Sequence, residues 1–494
     1  MKEELRLWAG RLIVVACASL AALPGCMVGP NFKRPVTSMP SGWAGISPES
    51  ATQPSAATTT PAELTVWWQV FNDPLLSKLV DQSLQANLTL QNAKAALRQA
   101  QAQRGVEVGG LLPTVNVPLS YQRAANGGKG LGAGPHNVYS TGVNAALNVD
   151  VFGGIRRSIE VDDANILAAM DNIRDVQVLI SAEVAADYVS VRSFQQQIIV
   201  AQRNLVAQRH TADITRQKLA AGFVSSLDVA NADAQVATTE STIPSLQIGE
   251  RQNIYAISVL LGRPPADLVT ELSIDEPLPT VPARIPVGLP SELLRRRPDI
   301  RQAEDKLHAA TAQIGVATAN LFPQFSLTGN LNWNAFDASK WFNPINRSWG
   351  FGPSMSWAIF QGGSVLASIE VDKALRDESF LTYQQTVLTA LQDVENALIA
   401  FTKEQEHLKS LSDAVVANQK ATDVSMQLYA QGQTDFLNVL NAQRSLFVSE
   451  AALVQSQQAV ATDLISLYQA LGGGWDQPGS TSKPAGKQAA ESTN

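Results

Sequence analysis

Between Ile155 and Ala221 the chain contains neither glycine nor proline, and the run ends at Gly222. Ser364 to Gln431 repeats the pattern and ends at Gly432. Ordinary helices average about 11–12 residues. Read as single helices, runs of roughly 67 residues each reach about 100 Å at 1.5 Å per residue, too long for a compact domain. In the first run apolar residues recur every three or four positions: Ile180, Val184, Tyr188, Val191, Ala201 and Leu205 are typical. That spacing is a coiled-coil seam. A second line through Val178, Ala182, Ala185 and Val189 lies beside it, as a helix flanked by two neighbours requires. Taken alone, the run fits an antiparallel coiled-coil rod equally well.

The chain repeats itself at a period of about 210 residues, which constrains its architecture before any function is considered. Leu111-Leu112-Pro113 returns as Leu321-Phe322-Pro323, and Phe152-Gly153-Gly154 as Phe360-Gln361-Gly362-Gly363. Gly222 with Leu227-Asp228-Val229 returns as Gly432 with Leu437-Asn438-Val439. The domain plan is therefore a first repeat over 63–262, a Pro-rich linker over 263–290 and a second repeat over 291–471. Each repeat runs through a helix, two strands, a long helix and a second helix. The expected helices are 83–104, 155–221 and 226–262, then 298–320, 364–431 and 435–471. Pro244 and Gly249 are expected to bend or break the helix they interrupt, with Gly315 a lesser interruption.

The segments 114–122, 138–151, 324–334 and 348–359 alternate, and 324–334 does so strictly. Phe325, Leu327, Leu331 and Trp333 face one way, and Ser326, Thr328, Asn330 and Asn332 the other. One apolar and one uncharged polar face, at lengths near 9–11 residues with aromatics toward the ends, is the pattern of membrane-barrel strands. Four strands cannot close a barrel, since the smallest have about 8, and open edges are not tolerated in lipid. Several chains must contribute to one barrel.

At the N-terminus, Lys2, Arg6 and Arg11 precede an apolar run that meets Pro24-Gly25-Cys26. This is a secretory signal over 1–25, too short to span a bilayer. Leu-Pro-Gly-Cys resembles a bacterial lipobox, whose cysteine becomes the acylated first residue of the mature chain. Residues 26–62, rich in Pro, Ser, Thr and Gly, form an extended, lipid-anchored tether in this reading, and 472–494 a flexible tail.

Function classes narrow accordingly. A net charge of −7 with no basic run argues against nucleic acid. His136, His210, His308 and His407 are scattered, with no metal-ligand or nucleophile spacing, so neither an enzyme nor a cofactor other than lipid on Cys26 is expected. Acidic residues such as Asp162, Asp163, Glu404 and Glu406 are expected on solvated helix faces.

The chain resembles the outer-membrane efflux proteins, the TolC-like exit ducts, in their lipoprotein branch paired with resistance–nodulation–division pumps. The marks are Val28-Gly29-Pro30, Trp67-Trp68, Phe71-x-Asp73-Pro74, Arg296-Arg297-Pro298-Asp299-Ile300 and the two glycine turns. The resemblance implies a homotrimer, with a twelve-strand membrane β-barrel continuing into an all-α, twelve-helix periplasmic tunnel. It implies a passive duct for drugs or other toxic small molecules, partnered by a periplasmic adaptor and an inner-membrane pump. Its place is the outer membrane, anchored in lipid by Cys26. The alternatives are a duct for type I protein secretion and a non-conducting structural coiled-coil lipoprotein. Gly222 and Gly432 become the tip turns. A periplasmic gate maps to Leu437 and Asn441, where relatives often carry an aspartate at the second position. Asp435 and Asp228 supply negative charge nearby, unless Asp435 and Ser225 or Ser226 simply cap helices.

Overall fold

In the computed structural model, which describes residues 27–45, 56–58, 64–126, 134–282 and 284–475, both glycine- and proline-free runs are single 67-residue helices. In chain order the elements are β1 (Ala56–Thr58), α1 (Pro74–Ala86), α2 (Leu88–Gly109), β2 (Thr114–Asn116), β3 (Leu119–Asn126) and β4 (Gly134–Val149). Then come α3 (Gly154–Ala220), α4 (Ser226–Leu260), α5 (Val269–Leu272), β5 (Arg284–Pro286), α6 (Leu293–Arg296) and α7 (Pro298–Ala319). The series ends with β6 (Gln324–Ala335), β7 (Arg347–Ser356), α8 (Ser364–Ala430) and α9 (Phe436–Ala470). The chain divides into two units: one holds the described part of 1–36 with Ala96–Ala169 and Gln302–Tyr383, the other Thr37–Ala95, Met170–Arg301 and the described part of 384–494.

The first unit carries an antiparallel sheet in the order β2/β3–β4–β6–β7, so β4 of the first repeat pairs with β6 of the second. Register follows the alternation. Val143 lies opposite Leu331 and Leu331 opposite Trp349, while Asn144 faces Asn330 and Ser326 faces Ser354. A slip of one residue would turn every apolar side chain to the polar face, which is why the register is firmly specified. Trp349 and Phe351 stay 74% and 72% exposed on the apolar face. A contiguous apolar sheet face of that kind marks contact with lipid or protein rather than water.

Several strand boundaries differ from expectation. The first predicted strand is cut into β2 and β3 at Val117-Pro118, because proline has no N–H for the ladder. The register on β4 is the same on both sides of the cut, and the Pro118 carbonyl still accepts from the Gly142 amide at 3.2 Å. β4 begins earlier, at Gly134. β7 ends at Ser356, and Trp357 instead donates its indole N–H to the Leu321 carbonyl at 3.0 Å.

Helix α4 runs unbroken through Pro244 and Gly249. Around the proline, the Thr238 and Thr239 carbonyls accept from the Ser241 and Thr242 hydroxyls, both at 2.7 Å. Gly249 has a packing reason instead of a breaking one: a Cβ there would lie 2.5 Å from the Phe194 ring. Gly315 is likewise a contact point, its missing Cβ leaving room for the Arg157 side chain. The expected helix 83–104 is two helices divided at buried Asn87. The Asn87 Oδ1 accepts from the Leu90 amide at 3.1 Å and its amide donates to the Leu260 carbonyl at 2.9 Å.

In the second unit the core gathers on Trp67, Trp68 and Phe71, with Trp67 stacked on Tyr468 at 5.4 Å. Asp73 caps α1 through the Leu75 and Leu76 amides at 2.9 Å, and its second oxygen accepts from the Tyr188 hydroxyl at 2.7 Å. That accounts for the Phe-x-Asp-Pro mark. The start of the expected flexible tail belongs to this core. Trp475, buried, donates to the Arg296 carbonyl and lies under the guanidinium groups of Arg174 and Arg301 at 5.0 and 5.4 Å. On α3, the second apolar line is as buried as the first, with Val178 and Ala185 joining Ile180 and Val184.

The tether expectation also changes, because residues 43–45 are pinned. Trp43 is buried and donates to the Gly288 carbonyl, and the Ala44 and Gly45 amides both donate to the Glu395 carboxylate at 2.8 Å. β1 pairs in parallel with β5. The signal segment, Cys26 and 476–494 lie outside the described residues.

If the apolar face meets lipid, Leu327→Arg costs about 2–4 kcal/mol of stability near mid-bilayer, whereas Thr328→Arg on the polar face is mild. Reversible unfolding of the two variants in vesicles measures the contrast, and equal costs would contradict the assignment.

Candidate functional site

Both long helices end in the same turn. The Gly222 amide donates to the Leu219 carbonyl and the Phe223 amide to that of Lys218. Gly432 and Gln433 repeat this toward Tyr429 and Leu428. These are Schellman ends, which need a left-handed residue, and the two glycines have φ of 77° and 74°.

The following helices start differently. Ser225 and Asp228 form a full capping box on α4, the Asp228 carboxylate accepting from the Ser225 amide at 3.0 Å. Asp435 stands at the corresponding N-cap of α9, is exposed, and makes no side-chain cap hydrogen bond. The capping expectation therefore holds for Ser225 and fails for Asp435, whose carboxylate stays in solvent.

Behind the turns lies a small core of Ala212, Ala232, Tyr429, Phe436, Val439 and Leu440. Tyr429 joins the two hairpins. Its hydroxyl donates to Thr215 Oγ1 at 3.2 Å, Lys218 Nζ donates to its carbonyl, and the same ammonium sits 4.0 Å above its ring. Burial, aided by the charge of Asp228, pushes the phenol pKa up against the Thr215 hydrogen bond. Further along, Gln443 donates to Thr211 at 2.8 Å, Arg444 to Gln235 at 2.6 Å, and buried Glu450 accepts from Arg203 and Asn204. These contacts bind α3 and α4 to α9 through amides, a hydroxyl and charged side chains.

Leu437 and Asn441 lie four residues apart on one face of α9, both exposed, Leu437 at 56%. Phe436, Val439, Leu440 and Gln443 occupy the opposite, buried face. The geometry thus leaves an apolar and an amide side chain free for a partner surface. Asp228 belongs to the other hairpin and is spent in its own capping box. Tyr429 and Lys218 were not singled out from the sequence; a lone tyrosine three residues before a glycine turn carries no signal there.

Several carboxyls of this unit depart from the solvated expectation, Asp175 among them, raised to about 6 by burial. Burial, with Glu183 one turn away, raises Asp187 to about 6; burial, with Glu404 nearby, raises Asp463 to about 6. Glu404 itself is partly covered and accepts from the Ser456 hydroxyl. Asp162 is also buried, and desolvation raises its pKa. Among the described residues no cluster of His, Cys, Asp and Glu could hold a metal ion, and no helix is long and apolar enough to cross a membrane.

The chain matches the family model of the outer membrane efflux protein twice, over residues 79–263 and 289–473. It is 32% identical to nodulation protein T of Rhizobium leguminosarum bv. trifolii, over 92% of this chain and 96% of that protein. It is 32% identical to the antibiotic efflux pump outer membrane protein ArpC of Pseudomonas putida, over 94% and 96%. Among solved structures, the outer-membrane channel OprN superposes with a TM-score of 0.83 at 36% identity, covering 91% of this chain and all of that one.

A carboxyl whose pKa is higher folded than unfolded binds more protons in the native state, so stability falls as pH rises from about 4 to about 6. Asp187→Asn and Asp463→Asn therefore raise the unfolding temperature at pH 7 relative to wild type, and the gain vanishes near pH 4. Thermal scans across pH test this; a gain that persists at pH 4 would contradict it.

Proposed function

The chain belongs to the outer membrane efflux protein family and is an exit duct in the outer membrane, extending into the periplasm, and on that basis we propose how it is assembled and gated. Three copies close one twelve-strand barrel and one twelve-helix tunnel. A periplasmic adaptor and an inner-membrane pump of the resistance–nodulation–division class feed it with small toxic molecules such as antibiotics. The duct is passive and catalyses nothing; selection lies with the pump. Cys26 carries the lipid that anchors the mature chain.

The observation that carries this reading is the sheet. Its four-strand path has one exposed apolar face and edges at β2/β3 and β7 that pair with nothing else among the described residues. Strands alternate in direction along that path, so β7 of one copy meets β3 of the next antiparallel. Apolar residues left uncovered on α8, including Leu375, Leu381 and Leu388, supply the helical counterpart.

At the tip, three Leu437 side chains and three Asn441 amides hold the resting pore shut, and docking of adaptor and pump opens it. The exposure of both residues opposite a fixed apolar face supports this, as does the absence of a carboxylate at 441. Like charges brought close repel. Asn441→Asp therefore loosens the closed ring, and Leu437→Ala removes its packing; both raise single-channel conductance in planar bilayers. Unchanged conductance in the double variant, with its oligomer intact, places the gate elsewhere. For the anchor, labelled palmitate enters the wild type and not Cys26→Ser; equal labelling would remove the lipid assignment.

A further inference from the structure

The first described residues of the chain, 27–34, lie against α3 and α7 in a fitted seat. Met27 packs on Gly153, where a Cβ would come within 2.7 Å of its Cγ, and the Val28 amide donates to the Phe152 carbonyl at 3.2 Å. Gly29 has φ of +89°, and a Cβ there would meet the Gly315 Cα at 2.4 Å, so the two backbones touch. Arg157, with a side chain only 1% exposed, organises the seat. Its guanidinium donates to the Val28 carbonyl at 3.0 Å, the Gly29 carbonyl at 3.3 Å, Asn31 Oδ1 at 2.8 Å and Glu160 at 2.6 Å. Glu160 also contacts His308 at 3.0 Å, whose ring stacks on Phe32 at 4.5 Å. Arg34 closes the series on Glu304 at 2.8 Å. A planar fork of five donors can collect acceptors in this way, and a lysine cannot.

The seat fixes a height. β4 ends at Val149, and Phe152 and Gly153 join it to α3, so Met27 is held at the foot of the sheet. Cys26 is one peptide away, about 3.8 Å between Cα atoms. We propose that Arg157 and the Gly29–Gly315 contact form a clamp that holds the acylated end of the chain at the strand-to-helix junction, so that the fold, not a slack leash, sets where the anchor enters the membrane. This rests on the reading that Cys26 carries lipid. Arg157 acts here as a positioning residue, through the backbone of 28–29 and the side chain of Asn31. The Val28-Gly29-Pro30 mark is then the strap side of the clamp, and Gly315 its helix side.

The test uses the full chain in vesicles, labelled with palmitate and exposed to trypsin. Arg34 precedes a proline, so Lys33 is the tryptic site between anchor and body. In the wild type the label stays with the body. Arg157→Ala and, from the strap side, Gly29→Ala each lose label from the body at least tenfold faster, with total palmitate and the oligomeric mass unchanged. Arg157→Lys falls between. Gly29→Ala leaves α3 and its core intact, so it decides the matter if Arg157→Ala fails to fold. Equal cleavage of wild type and Gly29→Ala would overturn the clamp. A wild type without palmitate whose strap still resists trypsin, read on a gel, would remove the lipid and leave the clamp standing as a seat for an unmodified end.

Discussion

A strand edge carries N–H and C=O groups that must be paired, and in hydrocarbon water cannot pair them; each group left open costs several kcal/mol. The rest of the molecule answers that constraint. One chain offers a path of four strands, too few to close, with β2/β3 and β7 at its ends. The even strand count makes the two ends antiparallel to each other, which lets copies join head to tail in a ring. The duplication supplies the pairs of strands, and the β4–β6 ladder welds the two repeats into one sheet.

The helices carry a parallel problem. Each long helix presents more than one apolar line, and in a single chain only part of that surface is covered. Where chains of polar contacts replace apolar packing, as at Gln443–Thr211 and Arg444–Gln235, the interface is directional and can be exchanged for another set of partners. That suits the opening proposed for the tip. A tip sealed by large apolar contacts alone would be harder to reopen.

Much of this was legible in the sequence because it is local. Absence of glycine and proline marked the long helices, the glycines after them their ends, and alternation the strands; which strands pair, and in what register, came only with the structure. What escaped depends on long-range contact. Gly249 looks like a helix breaker until Phe194 is found against it, and Gly315 until Arg157 is. Trp475 sits in a glycine-rich tail and becomes core through Arg174, Arg301 and the Arg296 carbonyl, which converge on it. The polar, proline-rich composition of 27–45 suggests a leash, yet its backbone is seated on buried Arg157 and on Glu395. At the proposed gate, the family resemblance picked out Leu437 and Asn441, but could not tell that Asp228 is spent on a cap and Asp435 is not.

The central claim is that lipid cannot hold this sheet unless copies of the chain complete it. The most direct measurement is the mass of the detergent-solubilised protein by light scattering with the detergent contribution subtracted. The account predicts a single species of three chains. A monodisperse single chain that keeps its native helix content would contradict it.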